Sequence, residues 1–254
     1  MSAPPALEIL PLLHFPLVNG PCDLGALVVA CLKRNRITLR QGDVLVLAHK
    51  VVSKAEGRIV DLGAVSPSAR ALELAQATGK EPALLEVILS QTKRIVRQSS
   101  GVVLCENHLG IVCANAGVDR SNAGENQAVL LPQDPDRSAR ALCRSLEAAF
   151  QVKVGVLVAD SHGRPWREGA VGLCIGLAGI NPFIDYRGRR DLYCYQMQSE
   201  IECIADELCA AATLVMGQAQ EGKPLALVRG ALVQLDDTSS AAALLRDPAR
   251  DLFR

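Results

Sequence analysis

The sequence predicts an α+β protein in which mixed and antiparallel sheets are packed by helices. Three observations carry that expectation. Buried strands and amphipathic helices are intermingled along the chain and do not alternate as a clean parallel array. The stretch "VVLCENHLGIVCAN" at 102–115 reads as a hairpin around a turn at Asn107 to Gly110. With 254 residues, 49% hydrophobic and 21% charged, the chain can bury a sizeable core.

The elements follow in order. Residues 43–52, "DVLVLAHKVV", are apolar and Val-rich after Gly42 and read as a buried strand. Ser66 and Pro67 read as the cap and first position of a helix that stops at Gly79, and a second helix follows Pro82. Beyond the hairpin, Ala139, Leu142, Cys143, Leu146 and Phe150 share one face of a helix over 136–150. "VGVLVA" at 154–159 is a second buried strand. Ile201, Ile204, Ala205, Leu208, Ala212 and Val215 share a face of a helix over 200–216, with Ser199 and Glu202 as a capping box and Gly217 as its stop. "LALVRG" at 225–230 reads as the last strand, and the polar tail 236–254 is expected to be peripheral. The chain reads as one domain, 1–254, and "LPQDPDRSA" at 131–139 is the best candidate for a boundary between two lobes.

Composition narrows the function. Lys plus Arg equals Asp plus Glu at 27 each, which argues against a nucleic-acid partner but leaves room for a local basic pocket. No apolar run is long enough to span a bilayer, so no membrane partner is expected. The opening "MSAPPALEILPLLHF" lacks the basic region of a signal peptide. Nine cysteines without a C-x-x-C pair suggest reduced, mostly buried thiols and a cytoplasmic protein.

No P-loop, dinucleotide fingerprint or nucleophile elbow is present, and the four histidines show no metal-type spacing. Four polar clusters instead sit near the ends of apolar runs. They are Ser53, Lys54, Glu56 and Arg58; Asn115, Asp119, Ser121 and Asn122; Asp160, Ser161, Arg164 and Arg167; and "DYRGRRDLY" at 185–193. Strand ends are where α/β enzymes place their sites. Asp119, Asp160 and Ser161 are hard oxygen donors, suited to Mg²⁺ or Mn²⁺. Lys54, Arg58, Arg164 and Arg167 suit phosphate or carboxylate oxygens. Each cluster alone has an ordinary reading: an Asx-turn, a helix cap, a solvated charged face, a surface ion-pair loop. Together they form the inventory of a nucleotide-dependent phosphoryl-transfer site.

In this order, the clusters resemble one family, the coenzyme F420-0:L-glutamate ligases, which are γ-glutamyl ligases of a deazaflavin cofactor. The matching stretches are "VVSKAEGRIV" (51–60), "NAGVDRSN" (115–122), "PQDPDRSA" (132–139), "VLVADSHGRPWREGAVGLCIGLAGI" (156–180), "GRRDLY" (188–193), "ECIADELCAAATLVMGQ" (202–218) and "VRG" (228–230). The resemblance implies transfer of L-glutamate to the lactyl carboxylate of F420-0, and further γ-linked glutamates in some cases. It implies GTP as co-substrate, Mg²⁺ or Mn²⁺ with K⁺, an acyl-phosphate route, a two-lobed fold and an intertwined homodimer.

Carried onto this chain, the resemblance makes Asp119, Asp160, Ser161 and Gln218 metal ligands, and gives Asp119, Asp160 and Lys54 catalytic roles. Phe15, Pro16, Leu17, Val18, His49, Lys50, Lys54 and Asn122 fall on nucleotide-binding positions. So does the loop Met216, Gly217, Gln218, Ala219, Gln220, Glu221, Gly222 and Lys223. Arg58, Arg164 and Arg167 are weaker candidates for substrate contact. Two positions depart from the pattern. Relatives can carry small hydroxyl residues where this chain has His49 and Lys50, and a glutamate where it has Gln218. The neutral amide is expected to weaken a second metal. Two alternatives stand beside this reading: the same chemistry on another carboxylate or amino acid, and a nucleotide-binding module without turnover.

Overall fold

The computed structural model describes residues 6–252; residues 1–5 of the opening stretch and the last two of the tail 236–254 lie outside the described residues. The chain begins with β1 (Glu8–Pro11), α1 (Leu24–Arg34), β2 (Val44–Ala48) and α2 (His49–Ala55). It continues through β3 (Ile59–Asp61), α3 (Ala69–Thr78), α4 (Pro82–Ser90), β4 (Thr92–Ser99), β5 (Val102–Asn107), β6 (Val112–Ala114) and β7 (Gln127–Val129). Then come α5 (Pro135–Phe150), the long pair β8 (Gly155–Arg164) and β9 (Arg167–Ile180), and β10 (Ile184–Asp185). The last elements are β11 (Ile201–Glu202), α6 (Ile204–Met216), β12 (Leu225–Arg229) and β13 (Leu235–Asp236).

A six-stranded sheet of order β1-β12-β2-β8-β9-β13 forms the centre. Only β2 and β8 run parallel; every other neighbour in this sheet is antiparallel. Side chains alternate across it with the period of two that a pleated strand imposes. Leu45, Leu47, Val156, Val158, Leu225 and Leu227 pack on one face with Val28, Cys31 and Leu32 of α1 and Ala139, Leu142, Cys143 and Leu146 of α5. Val44, Val46, Leu157, Ala159, Ala226 and Val228 pack on the other with Ala205, Leu208, Cys209, Ala212 and Met216 of α6. Each wholly buried leucine here contributes about 2 kcal/mol of apolar transfer free energy. A third cluster lies beneath α3, α4 and the smaller sheets β4-β5-β6 and β3-β7. Leu130 belongs to that cluster and its neighbour Leu131 to the first.

The mixed α+β class matches the expectation, as do the hairpin β5–β6, the α5 face, the Gly79 stop and a second helix, α4, which takes in Pro82 as its first residue. Four local expectations are corrected. The apolar run 43–52 is strand only to Ala48; from His49 it is helix, because an unbroken apolar run does not encode its own period. Ser68, not Ser66, caps α3: its hydroxyl accepts from Ala71 N at 3.3 Å, and Pro67 lies outside the helix. The helix expected from 200 begins at Ile204. Ile201 and Glu202 pair with β10, and the Glu202 carboxylate accepts the Tyr186 hydroxyl at 3.0 Å instead of closing a capping box. Finally, β12 is not the last strand, since β13 follows and pairs with β9. Beyond it, Ser240 Oγ donates to Asp136 Oδ2 at 2.6 Å, tying residues of the tail to the start of α5.

Six of the nine cysteines are buried, and Cys22 and Cys194 are exposed. No helix among the described residues is long and apolar enough to cross a membrane.

Candidate functional site

The parallel register of β2 and β8 builds the site. Ala48 lies opposite Ala159; past that pair β2 gives way to His49 and Lys50 of α2, while β8 runs on beside β9 through Asp160 and Ser161. The crevice opens past the carboxyl end of β2, where β8 has lost that neighbour and Asp160 and Ser161 become accessible, and the carboxyl end of a parallel strand is where open sheets place ligands. The third contributor is the turn after β6. Asn115, Ala116 and Gly117 are all left-handed, at φ 55°, 54° and 79°. This reverses the chain so that Asp119 pairs with Val129 beside β7. Gly117 is required there twice over: its φ disfavours any Cβ, and a Cβ would stand 2.5 Å from Leu131 Cδ1. The fourth contributor is the loop that leaves α6 at Gly217.

These segments enclose a cleft of about 490 Å³, within the range typical of small-molecule sites. Its lining includes Phe15 to Val18, His49, Lys50, Lys54, Asp119, Asn122, Asp160, Ser161 and the whole loop Met216 to Lys223. Every residue placed at a metal or nucleotide position in the sequence therefore meets in one cavity. The three arginines do not line it. Arg58 donates to Leu131 O at 3.0 Å and Gln91 Oε1 at 2.7 Å, joining segments of the chain. Arg164 and Arg167 face each other at the tip of the β8–β9 hairpin, where Arg164 donates to Glu168 O.

Asp160 is gripped from two sides. His49 Nε2 lies 3.3 Å from Oδ1 and His162 Nε2 lies 2.8 Å from Oδ2. His49 in turn lies 3.4 Å by Nδ1 from the buried Ser53 hydroxyl. Burial works to raise the Asp160 carboxyl, but the two imidazoles outweigh it and hold the group well below the ordinary carboxylate range. Asp119 is treated alike. Burial raises it, while Lys50 Nζ at 2.7 Å and the Ser121 N–H at 2.7 Å lower it further, so it too lies below its usual value. For Lys54 the signs reverse: burial and the nearby Lys50 both lower its ammonium. The site thus holds two ionised carboxylates, Asp119 on Lys50 and Asp160 between two imidazoles, beside a Lys54 ammonium that an anion would relieve.

The Ser161 hydroxyl donates to Gln218 Oε1 at 2.8 Å, so these neutral oxygens already converge. Asn122 Nδ2 donates to Ala219 O at 3.1 Å and fastens the Asp119 turn to the loop after α6. Among the described residues no three His, Cys, Asp or Glu side chains are grouped to hold a metal. An ion here would be held by the carboxylates with Ser161 and Gln218, an incomplete, all-oxygen set. That fits a hard cation such as Mg²⁺, which keeps positions for water and phosphate oxygens.

The residue description by sequence missed His162 and the closeness of Ser121 to the Lys50 ammonium. His162 had a signal: two residues after Asp160 on a strand, it shares that residue's face.

Comparison with known proteins decides the family. The family model described as F420-0:Gamma-glutamyl ligase matches residues 13–230. The chain belongs to the F420-0:gamma-glutamyl ligase family. A protein of Methanopyrus kandleri named coenzyme F420:L-glutamate ligase is 44% identical over 257 residues, covering 100% of both chains. Its namesake in Methanothermobacter thermautotrophicus is 42% identical, over 94% of this chain and 95% of the relative. Another in Archaeoglobus fulgidus is 36% identical, over 98% and 96%. Within this gamma-glutamyl ligase family match lie Asp119, Asp160, Ser161, Lys54 and the loop 216–223, the residues that line the cleft.

Proposed function

We propose that this chain joins L-glutamate to the lactyl carboxylate of F420-0, with GTP as phosphoryl donor and Mg²⁺ or Mn²⁺, with K⁺, as its ionic requirement. The cleft supports the reading most directly. Ionised carboxylates, neutral oxygens and three lysines converge on one nucleotide-sized space, in a chain alignable end to end with relatives named for that ligation.

A carboxylate is a poor electrophile, so amide formation needs an activated acyl group. The acceptor carboxylate oxygen attacks the γ-phosphorus of GTP, GDP leaves, and an acyl phosphate forms. The glutamate amine then attacks the acyl carbon, the carbon–oxygen bond to phosphate breaks, and the amine loses its proton as the amide closes. Lys54 and Lys223 would neutralise phosphate oxygens. Phe15 to Val18 give the cleft an apolar wall suited to a base. Asp119, Asp160, Ser161 and Gln218 would hold the divalent ion, which when bound supplies positive charge to the transferring phosphoryl. His49 and His162 fix the Asp160 carboxylate in orientation. A further γ-linked glutamate would use the same chemistry on the carboxylate just added.

A homodimer is part of the reading. The hairpin tip exposes Trp166, and the segment after β10 exposes Leu192, Tyr193 and Tyr195, apolar surface suited to a second copy. Arg164 and Arg167 on that tip suit an anionic acceptor held between chains.

The test is an end-point incubation with F420-0, L-glutamate, GTP, Mn²⁺ and K⁺, read by mass spectrometry and phosphate release. Glutamylated product and phosphate from the wild type, with loss of at least about a hundredfold in Asp160→Ala, support the ligase and count the glutamates. GTP bound without either product would favour the binding module. Phosphate release only with another carboxylate would move the acceptor.

A further inference from the structure

Lys50 stands apart among the cations of the cleft. Lys54 lines the same space and forms no ion pair with a described residue, whereas the Lys50 ammonium lies 2.7 Å from Asp119 Oδ2 and donates to the Ser121 hydroxyl. The Ser121 hydroxyl also donates to Asp119 Oδ2 at 3.0 Å, and its backbone N–H occupies Oδ1 at 2.7 Å. Both oxygens of Asp119 are therefore engaged, one of them by a full positive charge. An ammonium and a divalent ion do not share contact distance on one carboxylate oxygen, because their like charges would stand only a few Å apart. Lys50 sits at the start of α2 on a flexible four-carbon stem, so its ammonium can leave Asp119 while its backbone stays fixed.

We infer that Lys50 is the built-in cation of the Asp119 carboxylate, that a divalent ion reaching Asp119 must displace it, and that a nucleotide phosphate takes up the displaced ammonium. The inference rests on the metal–nucleotide reading of the cleft and deepens it. Its consequence is coupling. A divalent ion alone must separate an ion pair without compensation, whereas an ion arriving with a nucleotide hands Lys50 a new anionic partner. Metal and nucleotide then strengthen each other's binding by the same factor. Lys50 becomes a residue that discourages metal loading of the cleft without its nucleotide.

The experiment needs no turnover. Binding of Mn²⁺ alone, of GDP alone, and of Mn²⁺ in the presence of GDP is measured by calorimetry, with free Mn²⁺ followed by electron paramagnetic resonance. Wild type is compared with Lys50→Gln, Lys50→Met, Lys50→Arg and Lys54→Gln, each checked for an unchanged thermal midpoint. Both neutral Lys50 variants should bind Mn²⁺ alone about tenfold more tightly, and GDP should add less to that affinity than in wild type. Lys50→Arg should stay near wild type. Lys54→Gln removes an equal charge that does not touch Asp119, and its gain should be about twofold at most. Unchanged or weaker Mn²⁺ binding in both neutral variants would overturn the inference, as would equal gains from Lys50→Gln and Lys54→Gln. If neither Mn²⁺ nor GDP bound to any form, the metal–nucleotide reading itself would fall, and the inference with it.

Discussion

At the scale of single residues, charge and its neighbours decide the site's behaviour. Gln218 brings an amide oxygen 2.8 Å from the Ser161 hydroxyl, but no negative charge. Gln218→Glu should tighten divalent-ion binding by about tenfold, since a carboxylate adds a full charge to a hard-oxygen set; an unchanged Mn²⁺ titration would remove Gln218 from the ligand set. A second residue-scale prediction concerns Asp185, outside the cleft. Arg187 chelates its carboxylate, with contacts down to 2.6 Å, and its backbone N–H adds to this, holding the pKa at about 2. A depressed folded-state value means any stabilisation is complete above the unfolded value of about 3.9 and is lost as pH falls toward the folded one. The pair is solvent-exposed, so its effect on stability should be small. A carbon-13 titration of the Asp185 carboxyl should give a midpoint near that low value, and Arg187→Gln should return it to the ordinary range.

At the scale of elements, turns aim the chemistry. The left-handed run Asn115 to Gly117 turns β6 toward Asp119, and Leu131 fills the space beside Gly117. Gly117→Ala combines a strained φ with a steric overlap, and should cost about 2 kcal/mol or more in denaturant unfolding. It should also weaken nucleotide binding by shifting Asp119; a stable variant with unaltered binding would show that the turn tolerates a side chain. Elements were legible where one period dominated. The α5 face repeats cleanly, and Gly79 ends α3 in a left-handed cap. Legibility failed at His49, where an apolar run carries both periods, and at Ile201, where pairing with β10 outcompeted a helical start. It failed also for β4, whose residues are mostly exposed and leave no alternating pattern of burial.

At the scale of the whole molecule, one buried ion pair clasps the neighbouring strands β2 and β12, which are far apart in the sequence. Asp43, 2% exposed just before β2, receives Arg229 at the end of β12 in two contacts of 2.9 and 2.6 Å. Arg229 also reaches Thr38 O at 2.8 Å. The quoted "VRG" thus does structural duty far from the cleft. Arg229→Met leaves a carboxylate buried without its partner and should cost about 3 kcal/mol in urea unfolding. Pairing it with Asp43→Leu should recover much of the loss, because neither charge then remains buried alone; equal losses in the single and double variants would show that packing, not the ion pair, matters there.

The sequence by itself determined which stretches are apolar on one face and where several helices stop, but not that Ser53 and Lys54, read at a strand end, lie in α2 or that Asp160 and Ser161 lie within β8. The properties it determined are local, set by the periods of two and 3.6 and by the backbone freedom of glycine. The family resemblance then named the residues that line the cleft, though not the arrangement that brings them together. Only the tertiary structure decided that β2 and β8 are parallel neighbours, which puts His49 beside Asp160 across more than a hundred intervening residues. It alone set Lys50 on Asp119 and sent Arg58 to Leu131 and Gln91, away from the cleft lining. The physical reason is that periodicity reports which face of an element is buried and carries no record of its partner. Strand order, register and the meeting of remote charges are fixed by non-local hydrogen bonds and packing, which exist only once the chain has closed on itself.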